Sequence, residues 1–187
     1  MNTGDQSARL YDLLRTAVQQ ALDERKPDRD WAFEHCRTLD DVMQSEAIIL
    51  TLASFRLRLL CLLHIDMSVG GLMHELLAGE AGEQDRGDHE DYIREFGNSV
   101  CGNLKRDLQG GAPLLGLSTP NILNRGSLAM LEGISGGAVA HLTVSVAGGE
   151  HFPMGASALL YVHTGYDFEV PEVAADAGSD SGELEMF

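Results

Sequence analysis

Three features of the sequence predict an α+β domain, with a mainly antiparallel sheet and long helices packed on it. Leu10, Leu13, Leu14, Ala17, Val18, Ala21 and Leu22 recur every three or four residues, the stripe of an amphipathic helix. His141, Thr143 and Ser145 alternate with Leu142, Val144 and Val146, the mark of a strand with one wet face. Helical patterns bracket and interrupt the strand patterns, and glycine-punctuated hairpins dominate the last third.

Taken in order, the first helix spans Ser7 to Glu24, because Pro27 bars its continuation. Residues 27–45 are charged and mixed, and read as a surface connection with room for a turn of helix. Glu46 to Ser54 places Ile48, Leu50 and Leu52 on one alternation. Arg56 to Asp66 is apolar at nearly every position, which suits a strand covered on both faces, although periodicity alone also allows a buried helix. Asp66 or Ser68 caps a short helix carrying Leu72, Met73, Leu76 and Leu77 and ending near Gly79; Glu80 to Gly87 is loop-like. Asp88 opens a longer helix, His89 to Leu108, stopped by Gly110-Gly111 and Pro113. A proline-containing crossing follows at Ser118 to Gly126. Strands are then expected near Leu128–Ile134, Ala138–Ala147 and Ser157–Thr164, with Ser135-Gly136-Gly137 and Gly148-Gly149 as turns. Residues 1–168 form one domain on this reading. Residues 169–187 lose apolar density, gain Asp, Glu, Gly and Ser, and read as a disordered acidic tail.

Composition narrows the function classes. The chain has 187 residues and a formal net charge of −16, with 13 Lys and Arg against 29 Asp and Glu. Nucleic acid and anionic membrane surfaces are poor partners for such a balance. The longest apolar stretch, Ala47 to Ile65, is broken by Arg56 and Arg58, so no bilayer span is expected. The opening Met1-Asn2-Thr3-Gly4-Asp5 lacks a basic-then-apolar leader pattern, and three unpaired cysteines (Cys36, Cys61, Cys101) suit a reducing, cytoplasmic setting.

The chemistry concentrates on Ile93-Arg94-Glu95-Phe96-Gly97-Asn98-Ser99-Val100-Cys101-Gly102-Asn103. At about 100° per residue, Asn98, Gly102 and Arg106 fall within about 60° of Glu95. Ile93, Phe96, Gly97, Val100, Cys101, Leu104 and Leu108 gather on the opposite side. Glu95 and Asn98 therefore project outward together, three residues apart. Each interior glycine costs a helix about 1 kcal/mol relative to alanine. Gly97 lies on the buried side, where it allows close approach to a sheet. Gly102 lies on the outer side, where packing does not explain it and where another protein's backbone could come near.

Glu95-x-x-Asn98-x-x-x-Gly102 resembles the signature of the CheC/CheX/FliY group of chemotaxis phosphatases, and Leu117-Ser118-Thr119-Pro120-Asn121-Ile122-Leu123-Asn124-Arg125-Gly126 resembles the proline-containing stretch after that group's signature helix. The order of elements fits over residues 8–165. The resemblance implies a CheX-like fold, binding to the phosphorylated receiver domain of a CheY-like response regulator, and hydrolysis of its aspartyl phosphate. Glu95 and Asn98 would be the catalytic pair, with Gly102, Asp91, Arg94 and Arg106 at the docking surface. Two-site members carry a second acid–amide pair. Asp12-x-x-Arg15 and Glu75-x-x-Ala78 do not match it, so one site is expected, in a chain that CheX-type proteins suggest is a homodimer. No metal or other cofactor is assigned to this chain; the magnesium ion needed belongs to the receiver. Arg94 departs from the glycine that often precedes the signature glutamate, and flanks the pair at about 100° on the wheel.

Asn98 is expected to hold a water in line with phosphorus, since an amide donates and accepts without charge, and Glu95 to pair with the receiver's lysine. The competing readings are a receiver-binding or assembly module without catalysis, and a metal-dependent hydrolase. None of the seven histidines forms an H-x-x-x-H pair; His89 beside Asp88, Glu90 and Asp91 reads as a solvated helix start, and His141 and His163 as wet-face residues. Gly133-Ile134-Ser135-Gly136 lacks the strand–Ser–helix context of a nucleophile elbow.

Overall fold

In a computed structural model that describes residues 3–66, 86–109, 111, 114–128, 131, 137–147 and 150–173, the chain opens with helix α1 (Thr3–Asp23). The seven residues of the expected stripe are its buried residues. The helix begins four residues before Ser7, and the Ser7 hydroxyl accepts the Val139 N–H at 3.1 Å.

Residues 27–45 contain a strand, which corrects the expected surface connection. β1 (Trp31–Cys36) pairs antiparallel with β6 (Val139–Val146), from Trp31 opposite Val146 to Cys36 opposite His141. Charged neighbours on both sides hide a short alternation in which Trp31 and Phe33 pack against the core while Ala32 and Glu34 face out. The following turn is held by Asp41, whose carboxylate accepts the Thr38 and Arg37 N–H groups at 2.9 and 3.2 Å. Leu39 and Val42 of this turn are buried.

β2 (Glu46–Ala53) and β3 (Leu57–Ile65) form a hairpin, so the apolar run is a strand rather than a buried helix. Eight of its nine positions are buried; Arg58 is the exposed one. Ile48, Leu50, Leu52, Leu59, Cys61 and Leu63 face the helices. Ala47, Leu60 and Leu62 face a second, smaller cluster on the other side, with Leu128, Leu131 and Leu159.

Helix α2 (Arg86–Leu108) follows. The expected short helix bearing Leu72 to Leu77 lies outside the described residues, as does most of the loop after it. The proline crossing gives two short strands against β2, namely β4 (Gly116–Leu117) and β5 (Asn121–Asn124), and then one helical turn, α3 (Arg125–Leu128). That turn occupies the start of the strand expected at Leu128–Ile134. The Asn124 side-chain oxygen accepts from the Ser127 N–H at 2.9 Å and the Ser127 hydroxyl at 3.0 Å, a cap that begins this turn at the end of the crossing. Residues 129, 130 and 132–136, most of that expected strand, lie outside the described part.

β7 (Glu150–Val162) is longer than the expected Ser157–Thr164 and starts earlier. Pro153 argues against an interior strand position in sequence terms. The ladder shifts between Val144 and Ser145, passing from Met154 to His151, so Pro153 sits in the bulge, where no N–H is needed. The sheet runs β1-β6-β7-β3-β2-β4, with β5 also on β2, and its pairings are antiparallel. α1 packs against β6 and β7, α2 against β2, and the two helices against each other.

The face bearing His141 is not wet. His141 is 6% exposed and His64 and Ser157 are fully buried, joined as a ladder across β3, β7 and β6. His64 Nε2 and His141 Nδ1 each lie 2.8 Å from the Ser157 hydroxyl. The turn holding Val42 folds over these strands: a Cβ on Gly155 would meet Val42 Cβ and its carbonyl oxygen at 3.0 Å. His163 is half-buried, just past β7. At the C-terminal side Val170 is buried; its N–H donates to Gln6 Oε1 at 2.8 Å and its carbonyl accepts from Arg9 at 3.2 Å. The acidic residues beyond 173 lie outside the described part.

Candidate functional site

α2 separates two jobs on two faces. Inward, Ile93, Phe96, Val100, Cys101, Leu104 and Leu108 are buried, as the wheel predicts. Gly97 is what brings the helix down: a Cβ there would stand 2.9 Å from Leu50 Cδ1, 3.5 Å from Ile48 Cγ2 and 3.6 Å from Leu63 Cδ1. Cys61 and Cys101 meet under the helix. The Cys61 sulfur beside it, together with burial, pushes the Cys101 thiol well up, which keeps it protonated and unreactive. All three cysteines are free.

Outward, Glu95 is exposed and Asn98 half-buried. The two side chains touch, with Asn98 Nδ2 donating to Glu95 Oε1 at 3.4 Å. The bond is long, so it aligns the pair without spending either group. An acid and an amide therefore stand together on an open helix face. One turn on, a Cβ at Gly102 would meet nothing within 4 Å, which leaves a gap of bare backbone beside them.

The flanking residues resolve differently. Arg94 donates to Asp91 Oδ1 at 3.0 Å and Glu90 Oε2 at 3.3 Å. Both acceptors lie toward the start of α2, so the guanidinium is held at that end of the helix and Asp91 is paired with it. Arg106 bridges to α1, donating to Gln20 Oε1 at 2.7 Å, with Asp107 Oδ1 3.6 Å from its Nε. Burial raises the Asp107 carboxyl, and Arg106 partly offsets this.

Two residues at the site carry no sequence signal. Arg25, just beyond α1, donates to Ser99 Oγ at 3.2 Å and lies 5.1 Å from the Phe96 ring centroid. Asn103 is buried and donates to the Ala17 carbonyl at 3.2 Å, fastening α2 to α1. Each depends on a partner some 70 to 90 positions away in the chain (separations of 74 and 86), which no local pattern reports.

The site is a surface and not a cavity. A cavity of about 580 Å³ does exist near Gln6, Leu160 and Phe168, and no α2 residue is in its wall. Among the described residues, no three His, Cys, Asp or Glu side chains are grouped to hold a metal ion, and no helix is long and apolar enough to cross a membrane.

No family model matches the chain, and no curated protein matches it by sequence. Solved structures do. A chain of the CheX–CheY–BeF3–Mg2+ complex from Borrelia burgdorferi is similar at TM-score 0.58 and 13% identity, covering 80% of this chain and 96% of that one. CheX from Vibrio vulnificus gives 0.58 and 12%, with 80% and 97% covered. FliY from Thermotoga maritima gives 0.54 and 13%, with 83% and 89% covered. At these identities the likeness is one of fold, and the fold is that of the CheC/CheX/FliY group which the Glu95–Asn98–Gly102 pattern resembles.

Proposed function

We propose that this protein is a phosphatase of the CheX kind, which removes the aspartyl phosphate from a CheY-like receiver domain in chemotaxis-type signalling. The observation that carries this reading is the Glu95–Asn98 pair, 3.4 Å apart on the open face of α2. The fold supports it: the similar Borrelia burgdorferi structure is of a CheX–CheY complex with BeF3 and magnesium.

An acyl phosphate is already labile, so positioning is the main thing the helper supplies. Asn98 enters the receiver's site, where its carboxamide oxygen accepts a hydrogen bond from the attacking water and holds it in line with phosphorus. Glu95 meets the lysine beside the phosphoaspartate. Among the described residues Glu95 has no cation partner, so its charge is available for that lysine. Gly102 lets the receiver's backbone settle against the helix, while Arg94 is engaged by Asp91 and Glu90. The magnesium ion resides on the receiver. A cytoplasmic homodimer completes the proposal, to be read from the solution mass.

The test is the decay of a CheY-like receiver phosphorylated with acetyl phosphate, with and without this protein. Faster decay is expected. Unchanged decay would overturn the proposal, and unchanged decay with tight binding would make the chain a receiver-binding or assembly module.

A further inference from the structure

We propose that Arg25 is a positioning residue for the Glu95–Asn98 pair, locking the turn of α2 that carries both. What the pair does rests on the function proposed above; the lock itself rests on geometry.

Arg25 sits where α1 runs out, and its own position is fixed there. Its N–H donates to the Leu22 carbonyl at 3.0 Å, and its Nη1 to the Ala21 carbonyl at 3.0 Å. From that base the guanidinium reaches α2. Nη2 donates to Ser99 Oγ at 3.2 Å, and the Ser99 hydroxyl donates onward to the Glu95 carbonyl at 3.1 Å. The hydroxyl thus accepts once and donates once, so its single proton has a defined direction. The guanidinium carbon lies 5.1 Å from the Phe96 ring centroid and 5.7 Å from that of Tyr92. Arg25 therefore touches positions 92, 96 and 99, a stripe running alongside 91, 95, 98 and 102.

The turn needs such support. Gly97 and Gly102 bracket Asn98, and glycine is the weakest ordinary helix former. A serine bonding back to the carbonyl four residues earlier also tends to bend a helix. Tying that serine to the residue just beyond α1 holds its hydroxyl in one orientation. Arginine suits the task because its planar fork serves Ala21 and Ser99 at once while its face lies against aromatic rings. A lysine ammonium has three donors, but they radiate from one nitrogen and it has no planar fork to span both acceptors beside the rings.

The test uses the full chain, 15N-labelled, as wild type, Arg25→Ala, Arg25→Lys, Ser99→Ala and the double variant Arg25→Ala/Ser99→Ala. Two readouts do not involve catalysis: the Asn98 side-chain amide resonances, and hydrogen exchange of the amides at 97–103. Arg25→Ala and Ser99→Ala should shift the Asn98 resonances and speed that exchange about tenfold. Arg25→Lys should fall between them and wild type. The stimulated decay of phosphorylated receiver should drop about tenfold in kcat with KM within about twofold, as misplacement rather than lost binding requires. The double variant should be no worse than Arg25→Ala alone. Should Arg25→Ala not fold, Ser99→Ala and Arg25→Lys decide. Unchanged Asn98 resonances and exchange in those variants would overturn the lock, whatever the decay rates. If wild type fails to speed decay while the variants loosen the turn, the proposed function falls and the lock stands.

Discussion

Asn98 and Glu95 stand one helical turn apart, yet removing them should have different consequences. In the proposed mechanism the neutral carboxamide acts on the water, so Asn98→Ala would remove an interaction made mainly in the transition state. Stimulated dephosphorylation should fall on the order of 10²-fold, with affinity for a BeF3-activated receiver within about twofold by calorimetry. In the same proposal the carboxylate acts on the partner's lysine before and during reaction. Glu95→Ala should therefore weaken binding as well as rate, and its contribution should shrink as salt rises. Both residues were legible in the sequence because a helical wheel needs only the local chain. Arg25 was not, because it reaches Ser99 from the end of another helix. Arg94 was legible as a neighbour of the pair, but its tie to Asp91 and Glu90 became visible only in three dimensions.

At the scale of the element, α2 shows how one residue type can mean two things. At Gly97 a side chain would collide with Leu50 at 2.9 Å, so Gly97→Val should overpack the helix–sheet contact and cost about 1–3 kcal/mol in urea unfolding. At Gly102 there is open space, so Gly102→Ala should stabilise the chain by up to about 1 kcal/mol while weakening receiver binding. Opposite signs in stability, from the same residue type on the same helix, would mark the outer glycine as functional. Elements with a strong period were readable throughout: the buried positions of α1 and of β2 and β3 follow the apolar pattern. β1 escaped because an edge strand alternates over only six residues and sits among charges. The first half of β7 escaped because a proline that the bulge accommodates looks, in sequence, like a strand breaker.

For the molecule as a whole, the consequence lies on the side of the sheet away from the helices. His64 is buried beside Ser157 and His141, and burial lowers its pKa to about 3, with His141 adding to the effect. Burial also lowers His141, assisted by His35 and opposed by Asp41. Such histidines bind fewer protons folded than unfolded, so acid favours the unfolded chain. Stability from His64 is fully present above pH 6.5 and is lost as pH falls from there toward 3, at about 1.4 kcal/mol per pH unit. Urea midpoints between pH 7 and 4 should show this decline, and His64→Gln, whose amide can still bond Ser157 but cannot charge, should reduce the slope by about one proton. The expected wet face concealed this ladder, because alternation says which residues share a side and not what covers that side.

The central claim is that the Glu95–Asn98 pair acts on a phosphorylated partner, and one comparison tests it most directly. The decay constant of a phosphorylated CheY-like receiver is measured at saturating protein, wild type against Asn98→Ala. The account predicts clear acceleration by wild type and its near-complete loss in the variant. Equal decay constants for the two proteins would contradict it.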